Sequence, residues 1–206
     1  SQVACVLRRL RRLCAFYGSH PQFIFCSATI ANPAEHVAAL AGAPARVIAE
    51  DGAPRGPRQF VLWNPPLIDR TKTARRSANG EAAFIQSELA GAGVRHIVFT
   101  RSRRLAELIL LYVRRALRQR APELANRIKS YRAGYLADQR RQIEQELFSG
   151  KLLGVTATNA LELGIDVGGL DAVVLVGYPG SIASTQQQAG RAGSEKEEAL
   201  AVLIGR

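Results

Sequence analysis

From residue 60 to residue 204 the chain repeats one pattern, a short apolar run followed by a stretch with helical periodicity. Phe60-Val61-Leu62-Trp63 is the first run, closed by Asn64-Pro65-Pro66. A helix over 80–92 leads to a strand at His96–Thr100, and a helix over 102–120 leads to a strand at Ile128–Tyr131. A helix over 136–149, a strand at Leu153–Ala157 and a helical turn at 159–163 follow. A strand at Ala172–Gly177, a helix over 183–192 and a strand at Leu200–Ile204 complete the series. Leu105, Leu108, Ile109, Tyr112, Val113 and Leu117 form the apolar stripe of the 102–120 helix. Strands alternating with helices predict an α/β fold, a parallel sheet with helices on both faces. Such sheets bind ligands at the carboxyl ends of their strands.

The segment before the sheet reads differently. Val3, Val6, Leu7, Leu10, Leu13 and Cys14 recur at helical spacing, with Arg8, Arg9, Arg11 and Arg12 on the other faces. That pattern predicts a surface helix with a solvated basic face. Phe23–Cys26 reads as a buried strand ending at Ser27-Ala28-Thr29. Asn32 is a natural N-cap for a following helix, with Pro33 at its first position. Residues 51–58, DGAPRGPR, carry two prolines and two glycines and read as a linker.

Charge narrows the function. Twenty-eight Lys and Arg against 17 Asp and Glu leave a net +11, which favours a polyanionic partner through counterion release. Cys5, Cys14 and Cys26 are too few and too scattered for a metal knuckle, and read as small core hydrophobes of a reducing compartment. No apolar run reaches the roughly 18 residues a membrane span needs. The start, SQVACVLRRLRRL, has no signal-peptide order, so the expected location is the cytoplasm, nucleoid-associated if bacterial.

Nothing matches Gly-x-x-x-x-Gly-Lys-Ser/Thr, and no Asp-Glu pair ends an apolar strand. The polar groups cluster at strand ends instead. Ser27 and Thr29 offer two hydroxyls after the first apolar run. Thr156-Ala157-Thr158-Asn159 suits either one backbone phosphate or a helix N-cap. Asp166, in Leu163-Gly164-Ile165-Asp166-Val167-Gly168, either accepts ribose hydroxyls or holds a turn. In Gln186-Gln187-Gln188-Ala189-Gly190-Arg191-Ala192-Gly193, Gln187, Gln188 and Arg191 share helical reach. Two glycines inside that helix would cost about 1 kcal/mol each and so imply a purpose. Arg191 there either faces a γ-phosphoryl group or makes a surface ion pair with Glu195 or Glu197.

Taken in order, CSATIANP, IVFTRSRRLAE, YRAGYLADQRR, TATNALELGIDVG and QQQAGRAG resemble motifs III to VI of superfamily-2 helicases of DEAD/DEAH type. VLRRLRRLCAFYGSHPQFIFCSATIANP, EDGAPRG and NALELGIDVGGLDAVV are most similar to the bacterial mitomycin-repair and RecQ-like fungal branch. The resemblance covers essentially the whole chain. It implies that residues 1–50 are the C-terminal remnant of a first RecA-like domain, 51–58 the interdomain linker and 59–206 a second RecA-like domain.

The resemblance also assigns roles. Ser27 and Thr29 would couple hydrolysis to domain movement. Arg101, Ser102, Gly134 and Thr158 would touch the nucleic-acid backbone. Asp166 and Gly164 would bind ATP, and Gln188 and Arg191 would face its γ-phosphate. Ser194 departs from the pattern, since the family usually carries a second arginine there. The implied parent is an ATP- and Mg²⁺-dependent helicase acting in DNA repair, with single-stranded nucleic acid, DNA above RNA, as its partner. The chain alone, without phosphate loop or metal motif, is expected to hydrolyse nothing and hold no cofactor. Alternatives are a catalytically silent nucleic-acid-binding module or a RecA-like module kept for protein contacts. Residues 1–50 are expected to self-associate through exposed apolar surface.

Overall fold

The computed structural model describes the chain except residues 28–29, 51, 53–55, 70–72, 133, 159–160, 162–169, 194–197 and 206. It divides into two compact units, Ser1–Gly52 and Ala53–Arg206, so the boundary falls inside the proline- and glycine-rich stretch.

In the first unit, helix α1 (Gln2–Phe16) packs against α2 (Pro33–Ala41). Asn32 precedes Pro33 as expected, but its amide donates to Glu35 Oε2 at 3.0 Å and makes no side-chain cap to the backbone. The basic face of α1 is only partly solvated. Arg11 Nη1 donates to the Ala41 and Gly42 carbonyls at 2.7 and 2.9 Å, and Arg8 Nη2 to Ala39 O at 3.4 Å. These are the orphan carbonyls at the negative end of α2, which a cation satisfies.

The expected strand at Phe23–Cys26 does not form. Residues 23–26 carry no strand pairing, and Ile24 is 83% exposed. A strand exists only through a partner, and among the described residues this unit supplies two helices and no second strand. The cysteines are likewise not core residues: Cys5 and Cys26 are exposed and Cys14 half-buried.

The second unit is built on six parallel strands: β1 (Arg58–Trp63), β2 (His96–Phe99), β3 (Ile128–Tyr131), β4 (Gly154–Ala157), β5 (Ala172–Val176) and β6 (Ala199–Ile204). Their order is β1-β6-β5-β2-β4-β3. The helices are α3 (Ala78–Gly91), α4 (Arg103–Arg120), α5 (Ala137–Phe148) and α6 (Ile182–Ala189), with a 3-10 turn at Pro122–Arg127 that the periodicity did not reveal. The central strands are buried along their whole length, as parallel strands covered on both faces must be.

The pleat divides the core. Val98, Val174 and Val176 join Ala82, Ile109, Val113 and Leu117 from α3 and α4. Ile97, Phe99, Val173 and Leu175 point the other way and join Ile143 and Leu147 of α5. On α4 the buried stripe is Ala106, Ile109, Leu110, Val113 and Leu117, while Tyr112 is 44% exposed and leaves the expected set. β1 begins at Arg58, inside the stretch read as linker, because Arg58 pairs with Ala199 and its guanidinium donates to Ala192 O at 2.9 Å.

Candidate nucleic-acid and nucleotide site

Each strand of the second unit runs into its loop at one edge of the sheet, so Arg101 and Ser102 after β2, Thr158 after β4 and Gly134 after β3 gather along it. Neighbouring strands lie about 4.8 Å apart, so this edge is roughly 15 Å long over the three interstrand steps from β5 to β3.

After β2 the loop is tied across to β4. Thr100 is buried, its N–H donates to Ala157 O at 2.8 Å, and its hydroxyl reaches Ala157 O at 3.3 Å and Ser102 O at 3.1 Å. Ser102 is the N-cap of α4, its Oγ accepting from Leu105 N at 3.3 Å. Arg101 is exposed, and its guanidinium donates to the Tyr178 carbonyl on the loop after β5. Thr158, directly after β4, is only 8% exposed. The positive end of an 18-residue helix dipole therefore opens beside a hydroxyl and a cation, a setting that suits a phosphate.

Beyond β3, Gly134 is exposed, and the Arg103 guanidinium packs over it, 3.5 Å from where a Cβ would stand. The loop is held from below. Ser130 Oγ donates to Glu107 Oε1 at 2.9 Å and lies 2.7 Å from the Tyr135 hydroxyl. Arg132 pairs with Glu107 at 3.6 Å and sits 4.7 Å over the Tyr135 ring. From the other face of β3, the Tyr131 hydroxyl donates to Glu144 Oε1 at 2.6 Å, and Lys129 Nζ lies 2.5 Å from Glu146 Oε2. Burial, then the Glu144 carboxylate, pushes the Tyr131 phenol up to about 12, so it stays a neutral donor. The bond from Lys129 holds the Glu146 carboxyl below its usual range. Arg103, Glu107 and Tyr135 were not singled out from the sequence. Arg103 directly follows two residues that were, and only contact with Gly134 marks it.

The glutamine-arginine stretch departs from expectation. α6 ends at Ala189, Gly190 is its C-cap and Gly193 lies beyond the helix with φ +111, so neither glycine sits in a helix interior. Gly193 is required where it is: a Cβ there would stand 3.3 Å from Ala199 Cβ in a backbone region that side chains avoid. Gln188 is buried, with Nε2 3.3 Å from Ser184 Oγ, and Arg191 N–H bonds Gln188 O at 3.1 Å. The turn thus carries Gln188 and Arg191 together. Ser27 is exposed in the first unit. Thr29, Gly164, Asp166 and Ser194 lie outside the described residues. No group of three or more His, Cys, Asp or Glu able to hold a metal occurs among the described residues.

Comparison with known proteins converges on one family. The model of the helicase conserved C-terminal domain matches residues 81–196. The uncharacterized ATP-dependent helicase YprA of Bacillus subtilis is 47% identical over 99% of this chain and 27% of its own length. The ATP-dependent helicase hrq1 of Schizosaccharomyces pombe is 44% identical over 98% of this chain and 20% of its own. The crystal structure of the DUF1998 helicase MrfA bound to DNA superposes with a TM-score of 0.90 at 46% identity, covering 99% of this chain and 27% of that one. The chain spans about a quarter of the length of these relatives. With its parallel RecA-like sheet, it belongs to the helicase conserved C-terminal domain family, among the superfamily-2 helicases of the mitomycin-repair and RecQ-like fungal branch.

Proposed function

We propose that the second unit is the second RecA-like domain of an ATP-dependent DNA helicase with a role in repair, and that residues 1–50 belong to its first. The observation that carries this is the convergence of Ser102, Arg103, Gly134 and Thr158 on one sheet edge, at the N-terminus of α4, with Arg101 beside them bonded to the Tyr178 carbonyl. Donors aimed at phosphates position a strand without reading its bases, as stepping along DNA requires. Single-stranded DNA is the proposed partner. The MrfA relative is a DNA complex, which supports DNA over RNA.

Gln188 and Arg191 are hydrogen-bond donors on one turn, and that donor set fits the γ-phosphate side of ATP. In this reading the metal and the phosphate cradle are supplied by the first RecA-like domain of the parent, facing Gln188 and Arg191 across the nucleotide. ATP supplies the free energy of phosphoryl transfer when bound. Arg191 adds positive charge where negative charge develops, and Gln188, a buried residue of the last turn of α6, faces the same phosphate. Asp166 and Gly164 complete the proposed nucleotide contacts, and Ser27 and Thr29 the coupling element.

Alone, the 206-residue chain should bind single-stranded DNA weakly, lose affinity as salt rises, and hydrolyse no ATP. In a full-length protein carrying this domain, Arg191→Ala should cut DNA-stimulated kcat by about 10³-fold. Ser194→Arg should raise it. An Arg191→Ala protein with wild-type turnover, or a parent without ATP-dependent strand separation, refutes the assignment.

A further inference from the structure

The loop after β5 carries a group that the phosphate contacts do not explain. Tyr178 is 46% exposed, and the next helix opens with Ile182, 74% exposed. Single exposed apolar residues are common, so exposure alone means little. Place and fixation set Tyr178 apart. Other exposed rings of the unit lie within β1, α3 and α4 or at the end of α5: Phe60, Phe84, Tyr112 and Phe148. Tyr178 is on the loop edge itself, beside the Arg101–Ser102 loop of the neighbouring strand. Tyr135 shares that edge, but its face is taken by Arg132.

The backbone under Tyr178 is pinned from both sides. Gly177 turns the chain at φ +83 and donates its N–H to Ile204 O at 3.0 Å. Arg101 donates to the Tyr178 carbonyl. Ser181 then caps α6, its Oγ accepting from Ser184 N at 3.0 Å and its carbonyl from Thr185 Oγ1 at 2.9 Å. A cation next to a phosphate site is thus engaged in holding an aromatic residue in place.

We infer that Tyr178 is a stacking platform for a nucleobase of the single strand, and that Arg101 is its positioning residue, the strand's phosphates being met by Ser102, Arg103 and Gly134. An aromatic face accepts every base, so the contact adds affinity without sequence preference. Ile182 extends the apolar floor by one residue. The inference rests on the reading that this edge carries single-stranded DNA, and it adds a base contact to a site otherwise made of phosphate contacts.

The test uses the intact 206-residue chain, an oligothymidine strand, and an abasic strand of equal length that keeps the phosphates. Fluorescence anisotropy over a salt series gives affinity and slope for each. Tyr178→Ala should bind oligothymidine about tenfold more weakly with an unchanged salt slope, while binding the abasic strand like wild type. Tyr178→Phe should stay within about twofold, since stacking needs the ring and not the hydroxyl. Arg101→Ala should show the oligothymidine loss without lowering the slope, and should add little to Tyr178→Ala. Photocrosslinking of a bromouracil strand to the wild-type chain, mapped to Tyr178, reads the same contact without any variant.

Equal binding by Tyr178→Ala, an equal loss on the abasic strand, or a crosslink that maps elsewhere overturns the stacking role. A salt slope lowered by about one in Arg101→Ala overturns the positioning role. If the wild-type chain binds neither strand, the nucleic-acid reading fails and this inference with it. If wild type binds both strands and Tyr178→Ala is silent, only the inference fails.

Discussion

At the opposite end of the strands from the proposed site, the fold depends on a glycine. His96 and Gly154 stand in register on β2 and β4, and the His96 ring fills the space a side chain at 154 would occupy. A Cβ on residue 154 would lie 2.2, 2.6 and 2.8 Å from three ring atoms, all closer than contact allows. The ring cannot swing into solvent, because His96 is fully buried and its Nδ1 is held 2.8 Å from Val94 O. Gly154→Ala must therefore push the ring or part the strands. Overpacking of this kind costs about 1–3 kcal/mol, and losing the Nδ1 bond adds about 1 kcal/mol, so a destabilisation of about 3 kcal/mol is expected. His96→Ala alone opens a cavity, but it gives the new methyl room. The double variant should recover about 2 kcal/mol relative to the sum of the two singles. Trp63, the only tryptophan, lies on β1 with its indole N–H 3.0 Å from Glu81 Oε2, and its fluorescence under urea, alongside circular dichroism, reads the loss. A Gly154→Ala chain within about 0.5 kcal/mol of wild type, or strictly additive singles, would refute the reasoning.

Acid should find the same residue. Burial lowers the His96 pKa from 6.5 to about 4, against a backbone bond to Val94 and the nearby Asp171 carboxylate, which both raise it. Between those values the unfolded chain takes a proton that the folded chain refuses, so this contribution is whole above pH 6.5, falls as pH drops toward 4, and changes no further below that. The loss is about 3 kcal/mol and should be absent in His96→Phe; parallel acid profiles for the two proteins would contradict it. Glu107→Ala should cost about 1 kcal/mol by removing the acceptor of Ser130, and should weaken DNA binding a few-fold by loosening the Gly134 loop, with Glu107→Gln restoring much of both. Wild-type affinity in Glu107→Ala would show that the network does not position the loop. Val3, Val6, Leu10 and Leu13 are each 44–63% exposed along α1, and the chain should self-associate through them, with Val6→Lys plus Leu10→Lys reducing it. A monomer by light scattering at every concentration would count against this.

Local rules carried the strands and helices of the second unit. The apolar runs at 96–99 and 172–176 are strands because four or five consecutive buried residues suit a sheet covered on both faces. The same rule failed at Phe23–Cys26, where the run is equally apolar but no partner strand exists among the described residues of its unit. The helix expected over 102–120 begins at Arg103 behind its N-cap Ser102, whereas α6 stops at Ala189, three residues before the expected end. The core role given to the cysteines and to Tyr112 failed because periodicity places a residue on a face without saying whether anything covers it.

What the amino-acid order determined by itself was the alternation of elements, the polar motifs at the strand ends and the net positive charge. Those follow from spacing and composition, which are local. Only the tertiary structure decided which loops are neighbours. The order β5-β2-β4-β3 brings Arg101 to the Tyr178 carbonyl 77 residues away and Arg103 onto Gly134. Ser130 meets Glu107 across the strand–helix interface for the same reason. Such contacts depend on strand order and register, which arise from the packing of the whole sheet and leave no mark in any one segment.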